Sequence, residues 1–352
     1  MNFDRNTIIG FVLLGILFTI FFWYTSQQQA NIQRQKLEQA KNDSIRNAAQ
    51  QPRAAIPATE DTGAQTIVTT IADSADLFFN HKQGEEKLAT VETPLMKVRF
   101  SNKGGQPVGV ELKKFEGTDS SRAKLAASNF DKFSYAVRGG ENKTDSITDL
   151  YFSGGEPVKN ADGSFTVNFQ LQSAKGSVVE HQYIIRPDQY MIDFNLVVKG
   201  GDQLFANNTL PIVWQNRARQ LQKDMSYERQ MSEICFYADG EYDYYNIASR
   251  TQKEFSDPVQ WVAVKQQFFN SALVSKEKAF TAGRIDWNAP SSGETVVEAT
   301  ASLRYNLPGA DATIPLGLYY GPTDYKILKQ YGYEMEDMVN LGSGIFAFVK
   351  YI

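Results

Sequence analysis

Hydrophobic positions along the chain change period three times. Ile8 to Tyr24 reads IIGFVLLGILFTIFFWY, apolar on every side and free of charge, with the nearest charges at Arg5 and Arg34. At about 1.5 Å per residue this run makes a helix of roughly 25 Å. With Thr7 and Thr25 it nearly spans a hydrocarbon core of about 30 Å. Ile8, Phe11, Leu14, Leu17 and Phe21 are read as its membrane-anchoring residues, and Trp23 and Tyr24 place aromatic rings at the headgroup level. A cleaved signal peptide has a shorter apolar region, of about 7–15 residues, and a small-x-small cleavage site. Phe22-Trp23-Tyr24-Thr25-Ser26-Gln27 offers no such site, so residues 1–25 are expected to be an uncleaved transmembrane signal-anchor.

Residues 26–65 form a polar tail of Gln, Ala, Asn, Ser and scattered charges, in which Ile32, Leu37 and Ile45 are too sparse to build an apolar face. The anchor helix can run on as a solvated stalk, since Ala, Gln, Lys and Glu are good helix formers. Pro52 and Pro57 stop it, and the rest reads as linker.

From Thr66 the period becomes two. Met96, Val98 and Phe100 alternate with Lys97, Arg99 and Ser101. Phe165–Leu171, Ile192–Val198 and Val297–Tyr305 alternate in the same way. Such runs are half-buried antiparallel strands. Turn chemistry divides them at Asn102-Lys103-Gly104-Gly105, Asp162-Gly163, Arg186-Pro187-Asp188, Asp239-Gly240 and Pro308-Gly309. Residues 66–332 are therefore expected to be all-β, one large antiparallel two-sheet sandwich. Trp261, Val262, Val264, Phe268, Phe269, Leu273 and Val274 keep neither period cleanly, and their β-prone side chains favour one long bulged strand over a helix.

Near the end the helical period returns. Thr323 is expected to cap a helix over 324–331, with Gly332 in the left-handed position beyond it. After Glu334, Glu336 and Asp337, the positions Leu341, Ile345, Phe348, Val349 and Ile352 fall on one helical stripe, which Phe346 widens and Lys350 borders. Residues 333–352 are expected to begin a helix lying in the membrane interface.

Composition trims the functional field. The 352 residues carry a formal charge of −4 and no basic cluster interleaved with aromatics, so no nucleic-acid partner is expected. A single cysteine, Cys235, rules out an intrachain disulfide. Lys and Arg after the anchor outnumber those before it. That count alone would leave the main domain in the cytoplasm, but long domains translocate largely regardless of charge.

Candidate chemistry is thin. There is no G-x-S-x-G, and Gly342-Ser343-Gly344 has the wrong spacing. His81 sits in a polar stretch, His181 in a strand pattern that points it at the core or a neighbouring strand, and no third ligand stands at a metal-site spacing from them. No phosphate loop or dinucleotide fingerprint occurs. The expectation is no catalytic residue, no metal, no cofactor and no enzyme, although scattered carboxylates leave a glycosidase-type pair open. Tyr237, Tyr242, Tyr244 and Tyr245 read as sheet pairs before they read as a sugar or peptide groove.

Three stretches carry a family resemblance. Val91 to Gly105 (VETPLMKVRFSNKGG) resembles the first strand and hairpin of a known periplasmic domain. Gln260 to Phe269 (QWVAVKQQFF) resembles its Trp…Lys-Gln…Phe segment, and Leu318 to Lys329 (LYYGPTDYKILK) its closing strand, Gly-Pro turn and helix. Together they resemble the YidC-type membrane protein insertases, in the Gram-negative form, and the Gln/Asn-rich tail resembles Bacteroidetes members. The resemblance implies a β-supersandwich periplasmic domain and a cytoplasmic N-terminus at the inner membrane. It implies a role in inserting and folding nascent membrane proteins, in contact with inner-membrane lipid and Sec translocon components. In that family the insertion machinery is a five-helix membrane core, which no segment here resembles. The chain thus reads as the N-terminal part of such an insertase, and a tethered carbohydrate-binding or mutarotase-like sandwich is the alternative.

Overall fold

The computed structural model describes residues 76–340. They build three hydrogen-bonded antiparallel sheets. A four-stranded sheet runs in chain order: β1 (Leu88–Glu92), β2 (Met96–Ser101), β3 (Gln106–Glu116), β4 (Arg122–Leu125). A six-stranded sheet has the order β15 (Gln252–Phe255), β18 (Ala282–Asn288), β19 (Thr295–Asn306), β12 (Thr209–Arg219), β5 (Lys132–Gly140), β6 (Lys143–Ser146). The ten-stranded sheet runs β14 (Glu241–Asn246), β13 (Glu233–Ala238), β16 (Val259–Lys265), β17 (Phe269–Ser275), β20 (Ala312–Pro322), β11 (Met191–Lys199), β10 (Val178–Ile185), β9 (Phe165–Gln172), β7 (Ser153–Gly154), with β8 (Val158–Lys159) also on β9.

Both smaller sheets pack on the large one. Phe100 of β2 meets Phe169 of β9 and Tyr183 of β10, and Phe133 of β5 stands edge-on to Phe194 of β11 at 4.9 Å. The result is a two-layer sandwich whose second layer is split into four- and six-stranded sheets rather than one continuous sheet. The alternation read from sequence holds in β9, β11 and β19, whose inward residues are buried and whose intervening ones are not, and β10 shows the same pattern. The Asp239-Gly240 turn joins β13 to β14 with both residues at positive φ, 55° and 82°, as a tight primed hairpin turn requires.

Two expectations are corrected. The stretch 261–274 is a hairpin, not one bulged strand: β16 and β17 pair antiparallel from Trp261↔Val274 to Lys265↔Asn270. Every residue of both strands is buried. Strands covered on two faces show no alternation, which is why the period was unclear. Secondly, the closing helix is shorter than 324–331. It spans α3 (Tyr325–Lys329), and its cap is Asp324, whose carboxylate accepts from Ile327 N at 3.0 Å, not Thr323. Thr323 instead accepts from Asn270 through its hydroxyl. Two short helices also stand between the strands, α1 (Gly201–Leu204) and α2 (Met225–Gln230); Asp224 caps the second through Tyr227 N.

Candidate functional site

The segment that leaves the sandwich, residues 323–340, is bound to it by a row of specific contacts. Thr323 N donates to Phe268 O at 2.8 Å, which clamps the start of the segment to the β16–β17 turn. Leu328, Met335 and Met338 are buried in the core. Tyr319, at the end of β20, donates its hydroxyl to Pro322 O at 2.6 Å and meets the Tyr331 ring at 5.5 Å. Burial pushes the Tyr331 phenol up to about 12, so it stays neutral. Gly332, at φ 71°, takes the left-handed conformation two residues beyond Gln330, the residue that caps the helix.

Beyond it Tyr333 and Glu334 also take positive φ, 51° and 53°, an uncommon conformation for side chains of that size. Each is held there. Trp261 Nε1 donates to Tyr333 O at 2.9 Å, and the Tyr333 hydroxyl donates to Lys276 O at 3.3 Å. The Glu334 carboxylate accepts from Tyr242 N at 3.2 Å. Tyr242 lies on β14, the edge of the ten-stranded sheet, where the Asp243 carboxylate accepts from Tyr244 N at 2.8 Å. The segment is thus tied to the hairpin and to the sheet edge at once.

The hairpin is itself anchored by polar residues. Lys265, almost wholly buried, pairs with Glu233 at 2.6 Å. Gln266 donates to both Glu228 and Arg219 O at 2.7 Å. Glu228 has no exposed surface and accepts further from the backbone N–H groups of Leu221 and Gln222. Burial raises its pKa, and these hydrogen bonds oppose that rise. The Lys-Gln pair singled out in sequence therefore ties the hairpin two ways, Lys265 to Glu233 of β13 and Gln266 to Glu228 of α2, and Phe269 packs edge-on to Phe115 of β3 at 5.3 Å.

Both histidine rings are engaged by hydrogen bonds at both nitrogens. His181 is fully buried between the layers. Its Nδ1 donates to Gly105 O at 2.8 Å and its Nε2 accepts from the Tyr135 hydroxyl at 2.6 Å, a tautomer assigned from the network. Tyr183 also donates to Gly105 O. Burial lowers the imidazole pKa to about 4 and raises that of Tyr135. His81 spans the carbonyls of Tyr151 and Gln172 at 2.9 and 3.1 Å. Among the described residues no three His, Cys, Asp or Glu side chains gather as a metal site. Burial pushes the Cys235 thiol up to about 12. Tyr242 and Tyr244 stack on each other along β14, Tyr237 meets the Tyr333 ring, and Tyr245 stacks on Trp287 of β18.

The expected anchor residues Ile8, Phe11, Leu14, Leu17, Phe21, Trp23 and Tyr24 lie outside the described residues, as do the expected interface residues Leu341, Ile345, Phe346, Phe348, Val349, Lys350 and Ile352. No helix among the described residues is long and apolar enough to cross a membrane. Sequence reasoning missed the Trp261–Tyr333 and Tyr242–Glu334 ties. Gly332 was the one signal near them.

Comparison with known proteins fits this architecture. Residues 88–351 match the family model of the YidC periplasmic domain. A membrane protein insertase YidC from Phocaeicola vulgatus is 29% identical over 359 residues, covering 99% of this chain and 56% of that protein. One from Bacteroides fragilis is 30% identical over 358 residues, covering 96% and 55%. The chain spans about half the length of the curated relatives it matches. Among solved structures, a putative mutarotase from Salmonella typhimurium superposes with a TM-score of 0.43 at 12% identity, covering 68% of this chain and 91% of that one. The family match runs from the first described strand to the penultimate residue, and the chain belongs to the YidC periplasmic domain family.

Proposed function

We propose that this chain is the N-terminal part of a membrane protein insertase and that its β-sandwich has a mechanical role rather than a catalytic one. Residues 1–25 anchor it in the inner membrane with the N-terminus in the cytoplasm. Residues 26–65 are linker, and 66–332 fold on the periplasmic side. Residues 333–352 lead toward the membrane interface and an insertase core. Nascent membrane proteins and inner-membrane lipid are its partners, with components of the Sec translocon beside it.

The observation that carries the reading is the segment 323–340, whose side chains and backbone are tied to the sandwich at Phe268, Trp261, Lys276 and Tyr242. A sandwich that grips the chain just before an interfacial helix sets the position of whatever follows. A charge-free single anchor has no polar path of its own for a crossing segment. The chain alone is therefore expected not to support insertion.

The test joins this chain to the membrane core of the Phocaeicola vulgatus relative and expresses it in cells depleted of their own insertase. The chimera is expected to restore growth and insertion of a small dependent substrate. A flexible Gly-Ser insert after Met338 is expected to reduce both, and the 352-residue chain alone to restore neither. Rescue by the chain alone would overturn the reading. Alkaline phosphatase fused after Gly332 is expected to be active, and an inactive, fully expressed fusion would reverse the topology.

A further inference from the structure

On the outer face of the four-stranded sheet, opposite charges stand in register without meeting. Lys97 of β2 lies opposite Glu111 of β3, which lies opposite Lys124 of β4. Cross-strand neighbours of opposite charge normally close a pair. Among the described residues, none of these three reaches an ion-pair partner within 4.0 Å, and neither does Arg99. They rim a hollow of about 320 Å³ instead.

Its floor is Gly109, which pairs with Arg99 across the strands. A Cβ there would stand 2.9 Å from a guanidinium nitrogen of Arg99. The missing side chain is what lets the Arg99 head lie flat over the sheet. Arg219, at the end of β12 in the other small sheet, also lines the hollow and is paired with Glu294 at 2.7 Å. The nearby Glu92 is engaged by Lys113 at 2.7 Å. Within a chain of net charge −4, this hollow gathers Lys97, Arg99, Lys124 and Arg219 around one carboxylate, Glu111.

We propose that this hollow is a binding site for a phosphate group. Arg99 supplies the planar fork that suits two phosphate oxygens, and Lys97 and Lys124 supply point charges on either side. Glu111 opposes the bound charge and holds affinity down. The volume admits the phosphate with its first ester substituent and is at the lower end of ligand-site sizes. The source is either a lipid headgroup or a soluble phosphate, and both present the same group. The site is separate from the docked segment and does not depend on its role.

The test is isothermal titration of the full chain in detergent micelles at fixed ionic strength. The probes are inorganic phosphate and, separately, soluble dihexanoyl phosphatidic acid. At least one probe is expected to bind one-to-one and saturably. The double variant Arg99→Gln/Lys124→Gln is expected to weaken that binding about tenfold or more. Gly109→Val, which keeps every charge but displaces the Arg99 head, is expected to weaken it comparably. Glu111→Gln is expected to tighten it several-fold, a gain that misfolding does not produce. Binding of both probes supports a site for the phosphate group alone. Binding of the lipid only, with the same response to the variants, supports a headgroup site. Absence of saturable binding with either probe in the millimolar range, or an affinity indifferent to the Arg99/Lys124 variant, overturns the proposal.

Discussion

Two polar networks in this domain use the same bond type in opposite settings. At His181 the ring and the Tyr183 hydroxyl both donate to one carbonyl in the interlayer core while the Tyr135 hydroxyl donates to the ring, with His181, Tyr135 and Tyr183 all essentially without solvent. Along the docked segment, Trp261, Tyr333 and Glu334 make similar bonds to single backbone groups, but Tyr333 is exposed. A buried network left half-satisfied costs the full desolvation of the abandoned group. An exposed one hands its partners to water. The first network therefore fixes the fold, and the second can be released while the fold persists.

The largest expected effect comes from opening the core network. His181→Ala removes a ring packed on Phe152 and Phe194 and leaves the Tyr135 hydroxyl without an acceptor. It is expected to lower unfolding free energy by about 3–5 kcal/mol, read from the urea midpoint at constant m. A loss below about 1 kcal/mol would erase the contrast with the docked segment.

Next is pH. The folded imidazole titrates at about 4 and the unfolded one near 6.5. On acidification the unfolded chain takes the proton first. Stability is thus full above about pH 6.5 and falls as pH drops toward 4, by about 3 kcal/mol in total for this group. Asp131 and Glu228 have raised pKa values from burial and push the other way. The difference between wild type and His181→Gln isolates the histidine. Parallel pH profiles for the two would show that the ring is not the sensor.

At the docked segment the effects shrink and become local. Trp261→Phe loses the bond to Tyr333 O and some packing, with an expected cost of about 1–2 kcal/mol. Amide exchange at residues 333–338 should rise well before that of β10 and β11. Uniform acceleration across the domain would place this tie in the global core. Smallest is Glu334→Ala. It frees Tyr242 N, and faster exchange at that amide is expected with global stability within about 0.5 kcal/mol.

What sequence revealed follows the same divide. Alternation marked β2, β9, β11 and β19, because each has one wet face. It also turned His181 toward the core or a neighbouring strand, and the structure has it in the core. The β16–β17 hairpin was not legible, since both its faces are covered and its polar residues are paired inside: Lys265 with Glu233, Gln266 with Glu228. A buried ion pair reads in sequence as exposed surface. The split of the second layer was hidden because hydrophobic period reports which face is buried, not which neighbour a strand bonds. The left-handed Tyr333 and Glu334 gave no signal, because their conformation is imposed by Trp261, Lys276 and Tyr242, residues far off in the chain. The hollow around Gly109 was within reach of sequence only as alternating Lys97 and Arg99. Its concavity depends on strand register and on Arg219 arriving from another sheet.

The carboxylates on β14 bear on how copies of this protein behave when crowded together. The outer strand of a wide sheet is a template on which an identical strand can add, and repetition of that step yields fibres. Here two N–H groups that an incoming strand would seek are already held by Asp243 and Glu334. A newcomer's carbonyl oxygens would have to displace ionised groups and then lie against them. The contact that steadies the departing segment thereby also guards the sheet against polymerisation.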